Sequence, residues 1–171
     1  MLTIRPTTRE DVTKLLTLIR GLATYEKKLH KAIVTQADLL RDGFGPQPKF
    51  RALIAEWQGK AAGYASFFYF YSTFQGRAAL FLEDLFVPDE FRGKGIGKAL
   101  LVAVCKLAVE EGCFALRWEV LDWNRPAIEF YEKLGATFLN ERKVVTFDTA
   151  TLRRVANDNS PPSHRDTEKT I

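Results

Sequence analysis

Histidine, cysteine and methionine are scarce in these 171 residues, with two, two and one respectively. Cys105 and Cys113 lack the paired spacing of a zinc site or redox motif, so both are expected to be buried, reduced and inert. With only His30 and His164, a metal centre or a histidine-based nucleophilic triad has little to be built from, and no metal is expected. No apolar run approaches the length that spans a bilayer, and Met1-Leu2-Thr3-Ile4-Arg5-Pro6 has no basic region leading into an apolar stretch. The expectation is a cytoplasmic protein without membrane contact. A large charge of one sign is also missing: the net charge is +4, with Lys and Arg spread along the chain, which argues against a nucleic-acid partner.

What is present is an ordinary globular composition, 46% hydrophobic and 27% charged, at a length suited to one core. Residues 1–156 are expected to form that domain. Residues 157–171 contain Pro161-Pro162 and nothing apolar before Ile171, so they read as a flexible tail. Leu2 to Arg5 reads as a strand. Thr7 and Glu10 have capping-box spacing ahead of Val12, Leu15, Leu16, Ile19 and Leu22, which recur at helical period. Thr35 and Asp38 open a shorter helix. From Phe50 to Val87 three aromatic and aliphatic runs, broken at Gln58-Gly59-Lys60 and Gln75-Gly76-Arg77, predict an antiparallel meander. A helix sharing Ile96, Leu100, Val104 and Leu107 on one face follows, then a strand over Cys113 to Leu121, a helix from about Asn124 to Leu134, and a closing strand over Val144 to Phe147. The predicted plan is βααβββαβαβ.

Between the third meander strand and its helix lies Arg92-Gly93-Lys94-Gly95-Ile96-Gly97-Lys98. Alternating glycines let backbone N–H groups turn toward one point, and a helix N-terminus adds its positive end, which together make an anion cradle. Arg92 and Lys94 add charge suited to a pyrophosphate. The dinucleotide fingerprint fails because Lys98 stands where its third glycine belongs. A nucleotide P-loop fails because Arg92 and Ala99 stand where Gly and Ser or Thr are needed. The competing reading is a flexible glycine-capped loop.

Glu83 and Asp84 interrupt the apolar run Leu80 to Val87, implying burial, and a buried carboxylate must find a partner or shift its pKa. Alternation along a strand sends the two acids to opposite faces, hence to different tasks; the alternative is two structural salt bridges. Asn124 suits a helix N-cap and Pro126 a first turn, ahead of Phe130-Tyr131. On composition alone Tyr131 would be half-buried packing.

Taken together, these residues resemble the GNAT acetyltransferase superfamily. The likeness is greatest to the spermidine/spermine N-acetyltransferase group that includes the thialysine acetyltransferases. It runs from Thr3 to about Gly135 through Tyr25-Glu26, Asp42-Gly43-Phe44-Gly45, Tyr71-Ser72-Thr73, Leu82-Glu83-Asp84, Arg92 to Gly97, Asp122-Trp123-Asn124 and Phe130-Tyr131. The resemblance implies an α/β (α+β) fold with a central mixed, mostly antiparallel twisted sheet flanked by about four helices. It also implies an acetyl-coenzyme A-dependent N-acetyltransferase acting on a small-molecule amine, as a homodimer. Carried over by residue, Leu85, Phe86 and Val87 would hold the pantetheine arm with Asn124, and Arg92, Gly93, Lys94, Gly95, Ile96, Gly97 and Lys98 the pyrophosphate. Tyr131 would protonate the departing sulfur, and Glu83 would help deprotonate the amine. Tyr25, Glu26, Glu83 and Asp84 would hold the cationic acceptor.

The chemistry is consistent with those roles. An alkyl amine with a pKa of about 10.4 is mostly protonated at neutral pH and cannot attack until a base takes its proton. Backbone N–H groups at a strand distortion near Phe86 could stabilise developing oxygen charge. Lys28 and Arg117 put positive charge where a polyamine site would prefer acid, which favours a lysine-like amino acid such as thialysine, or a short diamine, over a long polyamine. A protein or peptide acceptor, and a non-catalytic acyl-coenzyme A sensor, are the alternatives.

Overall fold

A computed structural model of the chain describes residues 1–157, so all but the first residue of the expected tail lies outside the described residues. The described chain divides into two compact units, Met1–Asp122 and a second that begins at Trp123. The first holds β1 (Leu2–Pro6), α1 (Val12–Tyr25), α2 (Gln36–Phe44), β2 (Arg51–Trp57), β3 (Lys60–Ser72), β4 (Arg77–Phe86), α3 (Ile96–Glu110) and β5 (Leu116–Arg117). Its sheet runs β1-β2-β3-β4-β5, antiparallel except for the parallel β4–β5 pair, giving the expected mixed, mostly antiparallel sheet.

The β2–β3 hairpin turns on Gln58 and Gly59, both at positive φ, as a two-residue loop with right-handed strand twist requires. Gly63 and Tyr64 are successive residues of β3 and so face opposite sides of the sheet. Tyr64 packs in a cluster with Leu15, Leu16 and Leu18 of α1, whereas a Cβ on Gly63 would meet Leu100 of α3 at 3.3 Å. Helices therefore cover both faces. Leu15, Ile54 and Leu100 are fully buried, each contributing about 2 kcal/mol of transfer free energy. No described helix is long and apolar enough to cross a membrane.

The strand expected over Cys113 to Leu121 is only Leu116–Arg117, paired with Leu80 and Phe81. Strand propensity makes a ladder only where a neighbouring edge offers partners, and here pairing stops at Arg117. The cysteines also differ from expectation: Cys105 is exposed on α3 and Cys113 half-buried, and partial desolvation raises both thiols.

The second unit holds α4 (Arg125–Lys133) and α5 (Thr149–Ala156). Asn124 caps α4 by accepting from the Ala127 N–H, and proline stands in the first turn, as the sequence predicts. The closing strand expected over Val144 to Phe147 does not form. Val144 and Val145 are 75% and 84% exposed, β-branched residues without a paired edge to order them. Instead Asp148 accepts from the Thr151 N–H at 2.8 Å and starts α5, the fifth helix, which the sequence reading did not anticipate.

Candidate active site

β4 breaks its own ladder at the acids. Ser66 pairs with Asp84 and Phe67 with Leu82, so Glu83 is the extra residue of a β-bulge. The distortion expected near Phe86 thus falls at Glu83, and Phe86 pairs regularly with Tyr64. A bulge re-aims side chains, and strict alternation therefore does not hold for the two acids. Glu83 is exposed rather than buried, and Asp84 is partly covered. Partial desolvation raises the Glu83 pKa, with further upward pushes from the charges of Asp84 and Glu119.

Asp84 accepts a hydrogen bond from the buried Ser66 hydroxyl at 2.7 Å. Burial raises its pKa, the Ser66 bond opposes the rise, and the charge of Glu26 adds to it. Beside it the fully buried Tyr64 hydroxyl makes no hydrogen bond of ordinary geometry, although Asp84 is near enough to perturb it. Burial first, then Asp84, holds that phenol well above its usual range.

The end of α1 brings in Tyr25 and Glu26. Glu26 is its C-cap, Lys27 sits at φ 58°, the Lys27 N–H donates to Thr24 O at 3.0 Å and the Lys28 N–H to Ala23 O at 2.7 Å. That pairing is a Schellman motif, with lysine in the left-handed position glycine usually fills. It sets the Lys28 ammonium 3.0 Å from Glu26 Oε2. Arg117, by contrast, stacks its guanidinium on Phe70 and Phe114, 5.1 and 5.9 Å from the ring centroids.

β5 meets β4 only at Leu80 and Phe81, so among the described residues the Leu82–Phe86 edge has no ladder partner on that side. Such an edge offers backbone donors and acceptors to an extended, amide-bearing guest. It leads through Val87 into the glycine turn. Gly93 and Gly95 have φ 74° and 76°, and nothing lies within 4 Å of where a Cβ would stand on either. α3 starts at Ile96 without a side-chain cap, and its first bond runs from the Ala99 N–H to Gly95 O at 3.0 Å. The amides of Ile96, Gly97 and Lys98 therefore lack intrahelical partners, which makes an anion site. The fit to a diphosphate with an amide-bearing arm is good.

Arg92 also has a structural task. Its Nε donates to Val87 O at 3.1 Å, its Nη2 lies 2.9 Å from Asp89 Oδ1, and its guanidinium stacks 4.6 Å from the Tyr25 ring centroid. The glycine turn is thereby tied to the end of α1. The Lys94 ammonium donates to Glu90 O at 2.6 Å.

In the second unit Tyr131 is buried, and burial raises its phenol pKa. Asn124 holds the start of the same helix. The first unit carries Glu83, Asp84, Leu85 and Phe86 on β4, Tyr25 at the end of α1 with Glu26 as its C-cap, and Arg92 to Lys98 in the turn and the start of α3. The sequence reading missed Ser66 and Tyr64. Two hydroxyls inside the apolar run Gly63 to Phe68, those of Tyr64 and Ser66, were the available signal for buried polar partners.

A sheet split beside a glycine turn, with carboxyls on the strand between, defines an N-acetyltransferase once the comparisons with known proteins are added. The profile of the acetyltransferase (GNAT) family matches residues 16–136, and the chain belongs to that family. It is 39% identical over 146 residues to thialysine N-epsilon-acetyltransferase of Sus scrofa, covering 81% of this chain and 85% of that protein. It is 35% identical over 147 residues to spermidine/spermine N(1)-acetyltransferase-like protein 1 of Homo sapiens, covering 82% of this chain and 21% of that protein. Among solved structures, an integron cassette protein from the mobile metagenome of V. cholerae superposes with a TM-score of 0.78 at 24% identity. That match covers 91% of this chain and 98% of the other, and the likeness is one of fold.

Proposed function

We propose that this enzyme moves the acetyl group of acetyl-coenzyme A to the primary amine of a small molecule, by direct attack within a ternary complex. The acceptor is a lysine-like amino acid such as thialysine, or a short diamine. The observation that carries this reading is the unpaired Leu82–Phe86 edge running into the glycine turn, with the bulged Glu83 on the same strand. Acetyl-coenzyme A supplies an acetyl thioester open to attack by a neutral amine.

The chain supplies the rest. Backbone groups of Leu85, Phe86 and Val87, together with Asn124, hold the pantetheine arm. The turn from Arg92 to Lys98 receives the diphosphate on its amides. Tyr25, Glu26 and Asp84 hold the cationic acceptor near Glu83, which takes the proton that must leave the ammonium before attack. Desolvation brings Glu83 closer in basicity to its task than an ordinary glutamate. Tyr131 donates a proton to the departing sulfur, which, judged by a cysteine thiol with a pKa of about 8.5, takes one up near neutral pH; burial keeps the Tyr131 phenol protonated at neutral pH. By family resemblance the enzyme works as a homodimer; the sequence reading adds a cytoplasmic location and chemistry without a metal.

The test is thiol release from acetyl-coenzyme A with thialysine, lysine, putrescine, spermidine, spermine and short peptides as acceptors. Turnover is expected with the small amines and not with the peptides. Turnover with peptides alone would overturn the proposal.

A further inference from the structure

The Schellman turn that ends α1 does something the family's acid residues do not explain. Lys27 takes a left-handed conformation, φ 58°, that disfavours any side chain. The result is that both its own amide and that of Lys28 are pinned to the last turn of α1. The Lys28 ammonium then stands 3.0 Å from the Glu26 carboxylate, with 42% of the lysine and 28% of the glutamate side chain exposed. An ion pair that open adds little to stability, and the left-handed turn fixes the backbone that carries both residues. Strain kept in a short turn beside a candidate site is grounds for a functional hypothesis.

The turn borders the acceptor region. Tyr25, immediately before Glu26, lies under the Arg92 guanidinium, and Arg92 is bonded to Val87 just beyond the end of β4. The charge of Glu26 is felt by Asp84 and by Tyr64. A cationic acceptor attracted by these acids therefore meets a fixed ammonium as well.

We propose that Lys28 is a specificity-determining residue for the acceptor, offering its ammonium to the carboxylate of an amino-acid substrate and repelling a second free ammonium. Glu26, already countered by Lys28, is left with less attraction for a second cation. The inference rests on the small-amine acetyltransferase reading above and narrows its acceptor to amino acids that carry a side-chain amine.

Lysine and cadaverine form the matched pair, since cadaverine is lysine without its carboxylate. Initial rates with both, at saturating acetyl-coenzyme A, are compared for wild type, Lys28→Met, Lys28→Arg and Lys31→Met. Lys31 is exposed, and its replacement removes the same unit of charge nearby. In Lys28→Met the ratio of kcat/KM for lysine to that for cadaverine is expected to fall about tenfold, as loss of one charge-assisted contact implies. The change should lie in KM. Lys28→Arg restores most of the ratio, and Lys31→Met keeps it. Circular dichroism establishes that each variant is folded. An unchanged ratio in Lys28→Met, or an equal change in Lys31→Met, overturns the assignment. If wild type acetylates none of the small amines in the panel above, the small-amine reading fails and this inference fails with it; turnover of other small amines without lysine or thialysine, or of lysine and cadaverine with an unmoved ratio, removes the role of Lys28 alone.

Discussion

In the proposed reaction Glu83 carries the proton chemistry, and its surroundings would set the pH at which it works. Desolvation and the charges of Asp84 and Glu119 all raise its pKa, so the neutral acid persists to higher pH than in an ordinary glutamate. Only the carboxylate accepts a proton, so kcat/KM should rise with pH through an ascending limb set by that raised pKa. Removing Glu119 removes one upward push without altering the bulge. Glu119→Gln is therefore expected to move the ascending limb to lower pH with kcat on the plateau little changed, as measured by rate profiles on either side of neutrality. A limb that stays in place, or moves up, would separate it from Glu83. The acid pair was legible in the sequence because carboxylates stand out in an apolar strand. Its aim was not. Alternation predicts opposite faces, and a one-residue bulge, which depends on how β3 and β4 pair across the sheet, leaves no mark in local composition.

At the scale of elements, what could be read was what local chemistry determines. The Thr35–Asp38 capping box, the Asn124 cap, the Gln58-Gly59 turn and the glycine turn before α3 all form where residue type demands them. The elements that differ are those decided by a distant partner. Residues 144–147 have strand composition but make no ladder among the described residues, and β5 pairs only where Leu80 and Phe81 meet it. α5 was missed although Asp148 and Thr151 carry its cap, because the preceding valines drew the segment toward a strand. A smaller shift has a local cause. The capping box expected at Thr7 and Glu10 forms one residue later, at Thr8 and Asp11, because a single turn of 3-10 helix precedes α1.

That shift matters to the whole first unit. Asp11 is 3% exposed, and it accepts from Arg5 Nη1 and Nη2 at 2.6 and 2.9 Å and from the Thr8 N–H at 2.9 Å. Arg5 also bonds Glu56, so one guanidinium joins β1, β2 and the entry to α1. Hydrogen bonds from Arg5 hold the Asp11 carboxyl far below the usual aspartate range. A lowered folded pKa stabilises above the unfolded pKa and is lost as pH falls toward the folded one. Glu83 and Asp84, whose pKa values are raised, act in the opposite sense, since their ionised forms are disfavoured by folding. Asp11→Ala is expected to cost about 2 kcal/mol at neutral pH, through the lost cap and the two lost hydrogen bonds from Arg5, which keeps its bonds to Glu56. Urea unfolding should also show the gap between wild type and variant narrowing as pH falls from about 5 to 3. A gap independent of pH would mean the carboxylate charge is not what stabilises.

The same unit contains the feature on which the catalytic proposal stands, the glycine turn at the start of α3 that is proposed to receive a diphosphate. Calorimetric titration with coenzyme A tests it without depending on the acceptor. Saturable binding of one coenzyme per chain is expected; in Gly95→Ala, where a Cβ at φ 76° costs about 1–2 kcal/mol, a free turn that relaxes out of that conformation would weaken binding by up to about tenfold. No association of coenzyme A with the wild-type protein would contradict it.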